Sequence, residues 1–255
     1  QGDGKVNTKG LDFYDRLEDE LRAAGIQPWV TLFHWDYPYD LFLRGGWLNS
    51  ESPEWFARYT TAVVKRLSDR VTNWITQSDP QCFIGLGHST GEHAPGLKLD
   101  FPEVLLAAHH SLLAHGRSVQ AIRANARLQP SIGWAPSGTV FYPASSSPDD
   151  IDAARRATLA VHPGNTLWNN TWLGDPVVHG RYPEDGLRHS GKAVPKHSAA
   201  DFETIRQPID FFGCNIFQGI PVKADSDGQP VAVPFPPGHP QTLYLWKQTP
   251  EALYW

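Results

Sequence analysis

The sequence predicts an α/β protein built as a (β/α)8 barrel, of which about half is present. Three observations predict this. Amphipathic helices alternate with short apolar strands, which argues for a parallel sheet with crossover helices. The strands are near-continuous in hydrophobicity, as burial on both faces requires. The connections lengthen after strands rather than before them, favouring a barrel whose strand-to-helix loops carry the site over a doubly wound sheet. About four strands are counted, and four cannot close an eight-stranded ring. Residues 1–255 therefore read as one partial barrel domain.

Residues 1–10 are polar and read as a loop. Across residues 11–24, Leu11, Phe13, Leu17, Leu21 and Ala24 fall mostly three or four apart, an amphipathic helix that Gly25 ends. Residues 28–34 form an apolar strand, broken by Trp35, Asp36, Tyr37 and Pro38. After a loop around Gly45, Gly46 and Trp47, Ser52 caps a helix with Pro53 in its first position, running to about Ser68. Val71, Trp74, Ile75 and Thr76 form a buried strand that stops at Gln77, Ser78, Asp79 and Pro80, before a Gly- and His-rich loop. Asp100 and Glu103 make a capping box for a long helix over residues 101–123. Residues 129–135 return as a strand, and Ser147 caps a helix to about Ala160. Residues 163–197 are rich in Gly, Pro, His and Asn and read as a long connection. A short helix over residues 198–205 and a strand over residues 209–215 follow. Asp225 to Gly228 is a turn, the tip of a hairpin carried by Val222 and Val231. Thr249 and Pro250 start a last helix.

Composition excludes several classes. The net charge of −5, without a run of Lys or Arg, makes nucleic acid and anionic membranes poor partners. No apolar run reaches membrane-spanning length. The two cysteines, Cys82 and Cys214, make neither a disulfide framework nor a zinc spacing, and reduced thiols are expected. No metal and no cofactor is expected. The chain has no methionine and starts at Gln1, which implies a piece of a longer chain or a processed product. Without a targeting segment, the default compartment is cytoplasmic.

Three strand ends carry candidate chemistry. His34 and Trp35 offer a hydrogen bond and an indole platform to a sugar ring; the plain alternative is a packed pair. Asp79 places a carboxylate at the C-terminal end of a strand, where parallel α/β folds collect their chemistry, or else simply makes an Asp-Pro turn. Asn215 ends a buried strand with an amide that can reach a pocket or cap a loop. Gly87-His88-Ser89-Thr90-Gly91 fits the G-x-S-x-G pattern of serine hydrolases, but that elbow needs a helix opening just after the serine, and Pro95 and Gly96 argue against one. His109-His110 and Glu92-His93 lack metal-binding helical spacing and read as polar helix and loop residues.

The segments GKVNTKGLDFYDRLEDELRAAGIQPWVTLFHWDYP, GGWLN, DRVTNWITQSDP, GEHAPG, AAHHSLLAHGRSVQAIR, YPASSSPDD, DPVVHGRYP, DFFGCN and TPEALYW, in this order, closely resemble glycoside hydrolase family 1, the retaining β-glucosidase family. The resemblance implies a TIM barrel, with strands 3 to 6 of eight present. It implies two catalytic carboxylates about 5–5.5 Å apart, one nucleophile and one acid/base. His34 and Trp35 match the pair around the innermost sugar. The motif T-F-N-E-P falls on Thr76 to Pro80, so Asp79 stands at the acid/base position. Ser78 replaces the Asn that contacts the sugar 2-hydroxyl and the nucleophile. N-Y-Y falls on Asn215, Ile216 and Phe217, so the tyrosine hydroxyl that supports the nucleophile is missing at Phe217. The nucleophile, in a T-E-N-G motif, belongs after Trp255 and is not in this chain. A shorter Asp carboxyl sits roughly 1 Å from its ideal place, a displacement that can cost about a hundredfold in rate. The implied function is an O-glycosyl hydrolase acting on small β-glycosides in carbohydrate metabolism, impaired at Asp79, Ser78 and Phe217. The alternative is a catalytically silent sugar-binding or interaction module on the same barrel. The expected partners are a small β-glycoside or sugar and the rest of the barrel, from the same or another chain.

Overall fold

The computed structural model describes residues 4–161 and 167–255. Residues 1–3 of the expected first loop and residues 163–166 of the expected long connection lie outside the described residues. The first helix, α1 (Thr8–Ala23), is capped by Asn7, whose Oδ1 accepts the Gly10 N–H at 3.2 Å, and closes at Gly25 in the left-handed region. Strand β1 (Trp29–Phe33) follows, then a short α2 (Tyr39–Leu43) and a 3-10 turn at Gly46–Leu48 where the sequence predicted only loop. Helix α3 (Ser52–Leu67) corrects the expected cap. Ser52 lies inside the helix with its hydroxyl buried and unpaired, because the preceding turn already winds into it; Asn49 Oδ1 instead accepts the Glu51 N–H at 2.9 Å.

Strand β2 (Asn73–Ser78) extends past the predicted stop at Gln77. The loop expected next is in its first part a ten-residue π-helix, Gln81–Thr90. Helix α4 (Phe101–Asn125) has the expected box, with Glu103 Oε2 accepting the Asp100 N–H at 3.3 Å. Strands β3 (Ser131–Ala135) and β4 (Val140–Pro143) precede α5 (Pro148–Leu159), capped by Ser147. Two helices fill the supposed connection, α6 (Thr171–His179) and α7 (Glu184–Ser190). They are followed by α8 (Ala199–Ile205), β5 (Phe211–Phe212), β6 (Gly219–Ala224), β7 (Pro230–Ala232) and a final 3-10 turn at Pro250–Leu253.

The central sheet has the order β1-β2-β3-β5, every neighbouring pair parallel, as the alternation predicted. It curls. The ring of Trp29 on β1 meets that of Phe211 on β5 edge-to-face at 4.8 Å, although two strands lie between them. Gly133 on β3 makes room for this, since a Cβ there would stand 2.1 Å from the Phe211 ring. On the outer face, Trp74, Ile132 and Trp134 are fully buried with Leu105, Leu112 and Ile122 of α4. A smaller sheet, β4-β6-β7, contains the predicted hairpin, with Lys223 opposite Val231.

Local caps make measurable contributions. Ser147 Oγ accepts the Asp150 N–H at 3.1 Å, so Ser147→Ala is expected to lower stability by about 1 kcal/mol in urea denaturation.

The two histidines read as polar helix residues lie on α4 and are buried, with Nδ1 of His109 paired to Tyr182 Oη at 2.7 Å and Nδ1 of His110 to the Trp47 carbonyl at 2.8 Å. His115 pairs with Thr76 at 2.7 Å. Burial holds His109 down to about 4 and His115 to about 3. Both are therefore neutral when folded, whereas unfolded histidine titrates near 6.5. Their contribution is complete above that value and is lost as pH falls toward 4 and then 3, because the unfolded chain binds the protons. The unfolding midpoint is expected to fall between pH 7 and pH 4.5, and less steeply for His109→Gln.

Candidate active site

The candidate site lies at the C-terminal ends of β1, β2, β3 and β5. A bulge in β2 creates it. The β2–β3 register runs Ile75 to Gly133 and then jumps to Ser78 against Ala135. Within the jump, Thr76 Oγ1 pairs with His115 and Gln77 Nε2 donates to the Ser111 carbonyl at 2.9 Å. His115 and Ser111 are one turn apart on α4, so two successive β2 residues face the helix layer. Strict alternation would send Ser78 there too; the extra outward residue turns it to the opposite face.

Asp79 follows with φ of +50°, a left-handed conformation uncommon outside glycine. Its N–H donates to the Ala135 carbonyl at 2.8 Å, and its carbonyl accepts the Cys82 N–H at 2.8 Å as Pro80 opens the π-helix. The backbone is thus fixed on both sides of the side chain, and only 4% of the residue is exposed. Asn215 reaches it from beyond β5. Its Nδ2 donates to Asp79 Oδ1 at 2.7 Å and lies 3.4 Å from both Ser78 Oγ and the Ala135 carbonyl. Ser78 Oγ donates to Asp79 Oδ2 at 3.0 Å. Three of the predicted residues, from two distant segments, form one hydrogen-bonded cluster.

His34 and Trp35 sit beside it. Phe33 pairs with Gln77, so His34 and Ser78 lie level at the ends of neighbouring strands. Trp35 turns at φ of +75°, its ring edge-on to exposed His34 at 5.2 Å and stacked on His93 at 4.8 Å. His93 was not singled out for the site; its only signal was its place in the loop after Asp79. A cavity of about 20 Å³ beneath Trp35, lined by Tyr37, Trp47 and His88, has room for one water and none for a sugar. Phe217 lies apart from the cluster, half exposed and packed on Trp246 at 4.8 Å.

Two neighbouring nucleophiles, Cys82 and Ser89, are silent. Cys82 is a free, buried thiol that burial pushes up to about 11, against the opposing effect of its contact with Ser137 at 3.8 Å. It stays protonated at neutral pH. Cys214 is also free. Ser89 sits within the π-helix, without the strand that a serine elbow needs before it. Among the described residues no cluster of three potential ligands could hold a metal, and no helix is long and apolar enough to cross a membrane.

A family model described as glycosyl hydrolase family 1 matches residues 1–234. β-Glucosidase A of Thermotoga maritima is 39% identical over 256 residues, covering 100% of this chain and 55% of that protein. β-Glucosidase A of Acetivibrio thermocellus is 37% identical over 231 residues, covering 90% of this chain and 49% of that protein. The chain thus spans about half the length of the curated relatives it matches. The solved Thermotoga maritima β-glucosidase in complex with deoxynojirimycin superposes with a TM-score of 0.83 at 37% identity, covering 100% of this chain and 55% of that one. The four parallel strands accordingly belong to a TIM barrel of which this chain supplies a part.

Proposed function

Because the chain belongs to glycosyl hydrolase family 1, we propose that the protein carrying it is a β-glucosidase-like hydrolase of small β-glycosides. The observation that carries this reading is the Asp79 carboxyl, buried at the strand ends and held by Ser78 and Asn215. In this reading Asp79 first protonates the glycosidic oxygen and then takes a proton from the attacking water. The second carboxylate comes from the remainder of the barrel, about 5–5.5 Å away if anomeric configuration is retained. His34 supplies an exposed imidazole and Trp35 a partly buried indole, and together they hold the sugar. The relative's complex with deoxynojirimycin, a sugar-like inhibitor, supports a sugar in the corresponding place here. Residues 1–255 then form one continuous part of a single barrel domain.

The test is turnover of a chromogenic aryl β-glucoside by the protein that carries this chain. Hydrolysis is expected. Sugar binding by calorimetry with no release of the aryl group overturns the reading in favour of a silent sugar-binding module.

A further inference from the structure

We propose that Asn215 is a positioning residue for proton transfer by Asp79. It fixes which carboxyl oxygen carries the proton, while Ser78 serves both protonation states. This role presupposes Asp79 as the acid/base of the function proposed above, and it gives Ser78 work other than the sugar contact of the Asn it replaces.

The amide orientation follows from its surroundings. Nδ2 faces Asp79 Oδ1 at 2.7 Å and the Ala135 carbonyl at 3.4 Å. Both are acceptors, so an amide oxygen in that place would meet two like partners. An amide N–H donates and cannot accept. While it holds Oδ1, that oxygen remains an acceptor, and the carboxyl proton resides on Oδ2. Oδ2 faces the Ser78 hydroxyl at 3.0 Å, a group that does both jobs. It donates to the ionised carboxylate and turns to accept from Oδ2–H once the carboxyl is protonated. A group that must alternate between acid and base needs both states satisfied in a site this buried, because an unpaired carboxyl oxygen there is costly.

The bound glycosidic oxygen competes with Ser78 for Oδ2–H. The proton passes from Oδ2 to that oxygen as the C–O bond breaks. The bond's electron pair stays on the departing oxygen, and an oxygen nucleophile (a carboxylate or water) takes its place at carbon. In the return step Oδ2 takes a proton from water and Ser78 turns back to donate.

The role separates from simple structural support by leaving group. A dinitrophenolate leaves without protonation, whereas a phenolate needs the acid. In the protein that carries this chain, Asn215→Ala is expected to lower kcat/KM for phenyl β-glucoside about tenfold to a hundredfold, leaving dinitrophenyl β-glucoside within about twofold. Equal loss on both substrates, or no loss on either, overturns the proposal while the hydrolase reading stands. If Asn215→Ala does not fold, Ser78→Ala gives the same reading: loss confined to the phenyl glucoside supports the network, and equal loss overturns it. A wild-type protein inactive on dinitrophenyl β-glucoside fails at the earlier step and overturns both.

Discussion

Asp79→Asn is expected to lower kcat/KM for phenyl β-glucoside by about 10²–10⁴-fold, the usual contribution of one general acid. The substitution is nearly isosteric, and the cluster can absorb it. The new side-chain oxygen still accepts from Asn215, and the new NH2 donates to Ser78, whose hydroxyl needs only to rotate. The backbone ties to the Ala135 carbonyl and the Cys82 N–H are untouched. What disappears is the acidic proton that can be transferred, and the carboxylate that can take one back. The melting temperature should therefore stay close to that of the parent while the rate collapses, a combination that separates lost chemistry from lost structure. Dinitrophenyl β-glucoside should retain its glycosyl-transfer step, since its leaving group needs no acid, and should slow only where water must be deprotonated. An unchanged rate on the phenyl glucoside would remove Asp79 from the reaction.

Asp79 itself was legible in the sequence as a carboxylate ending an apolar strand before proline, and Asn215 as an amide ending another. Their meeting was not, because it depends on partners far along the chain. Thr76 and Gln77 both bond to α4, through His115 and Ser111, and this bulge turns Ser78 away from the helix layer. No pattern within residues 71–80 announces it. The same division runs through the fold. The starts at Asp100, Ser147 and Ser198 are local hydrogen-bonding signals and lie where the residues placed them. Helices α6 and α7 were missed because Pro176, Gly174 and Gly186 disguise them, and packing settles them: Trp172 of α6 stacks on Tyr182 at 4.5 Å, and Tyr182 Oη is held by His109 of α4 at 2.7 Å. Strand β5 starts later than its apolar run because the Asp210 carboxylate takes the Ile132 N–H at 2.8 Å, a place the ladder would otherwise use.

Gly116→Ala is expected to be strongly destabilising, against the local preference of its helix. Inside α4, alanine is favoured over glycine by about 1 kcal/mol on backbone entropy alone. Here the packing opposes it. A Cβ on Gly116 would lie 1.9 Å from the Thr204 carbonyl oxygen, 2.6 Å from its carbon and 3.1 Å from the Ile205 Cα, all backbone atoms of α8. No side chain can rotate aside. The two helices must separate, which draws Ile205 out of full burial. Overpacking against rigid backbone falls at the upper end of the usual cost, about 3 kcal/mol, so after the propensity gain the net loss is expected near 2 kcal/mol, or about 4–8 °C in melting temperature for a chain of this size. Gly174→Ala is the matched control: it sits in α6 with nothing within 4 Å of the new methyl, and it should be neutral or stabilising by up to about 1 kcal/mol. Equal melting temperatures for the two variants would show that α4 and α8 are not in that close approach. Since His115 adjoins Gly116 and holds Thr76 at the β2 bulge, a displaced α4 also loosens the strand that presents Asp79. The Gly116 variant should accordingly lose turnover at temperatures below its own unfolding, and the Gly174 variant should not.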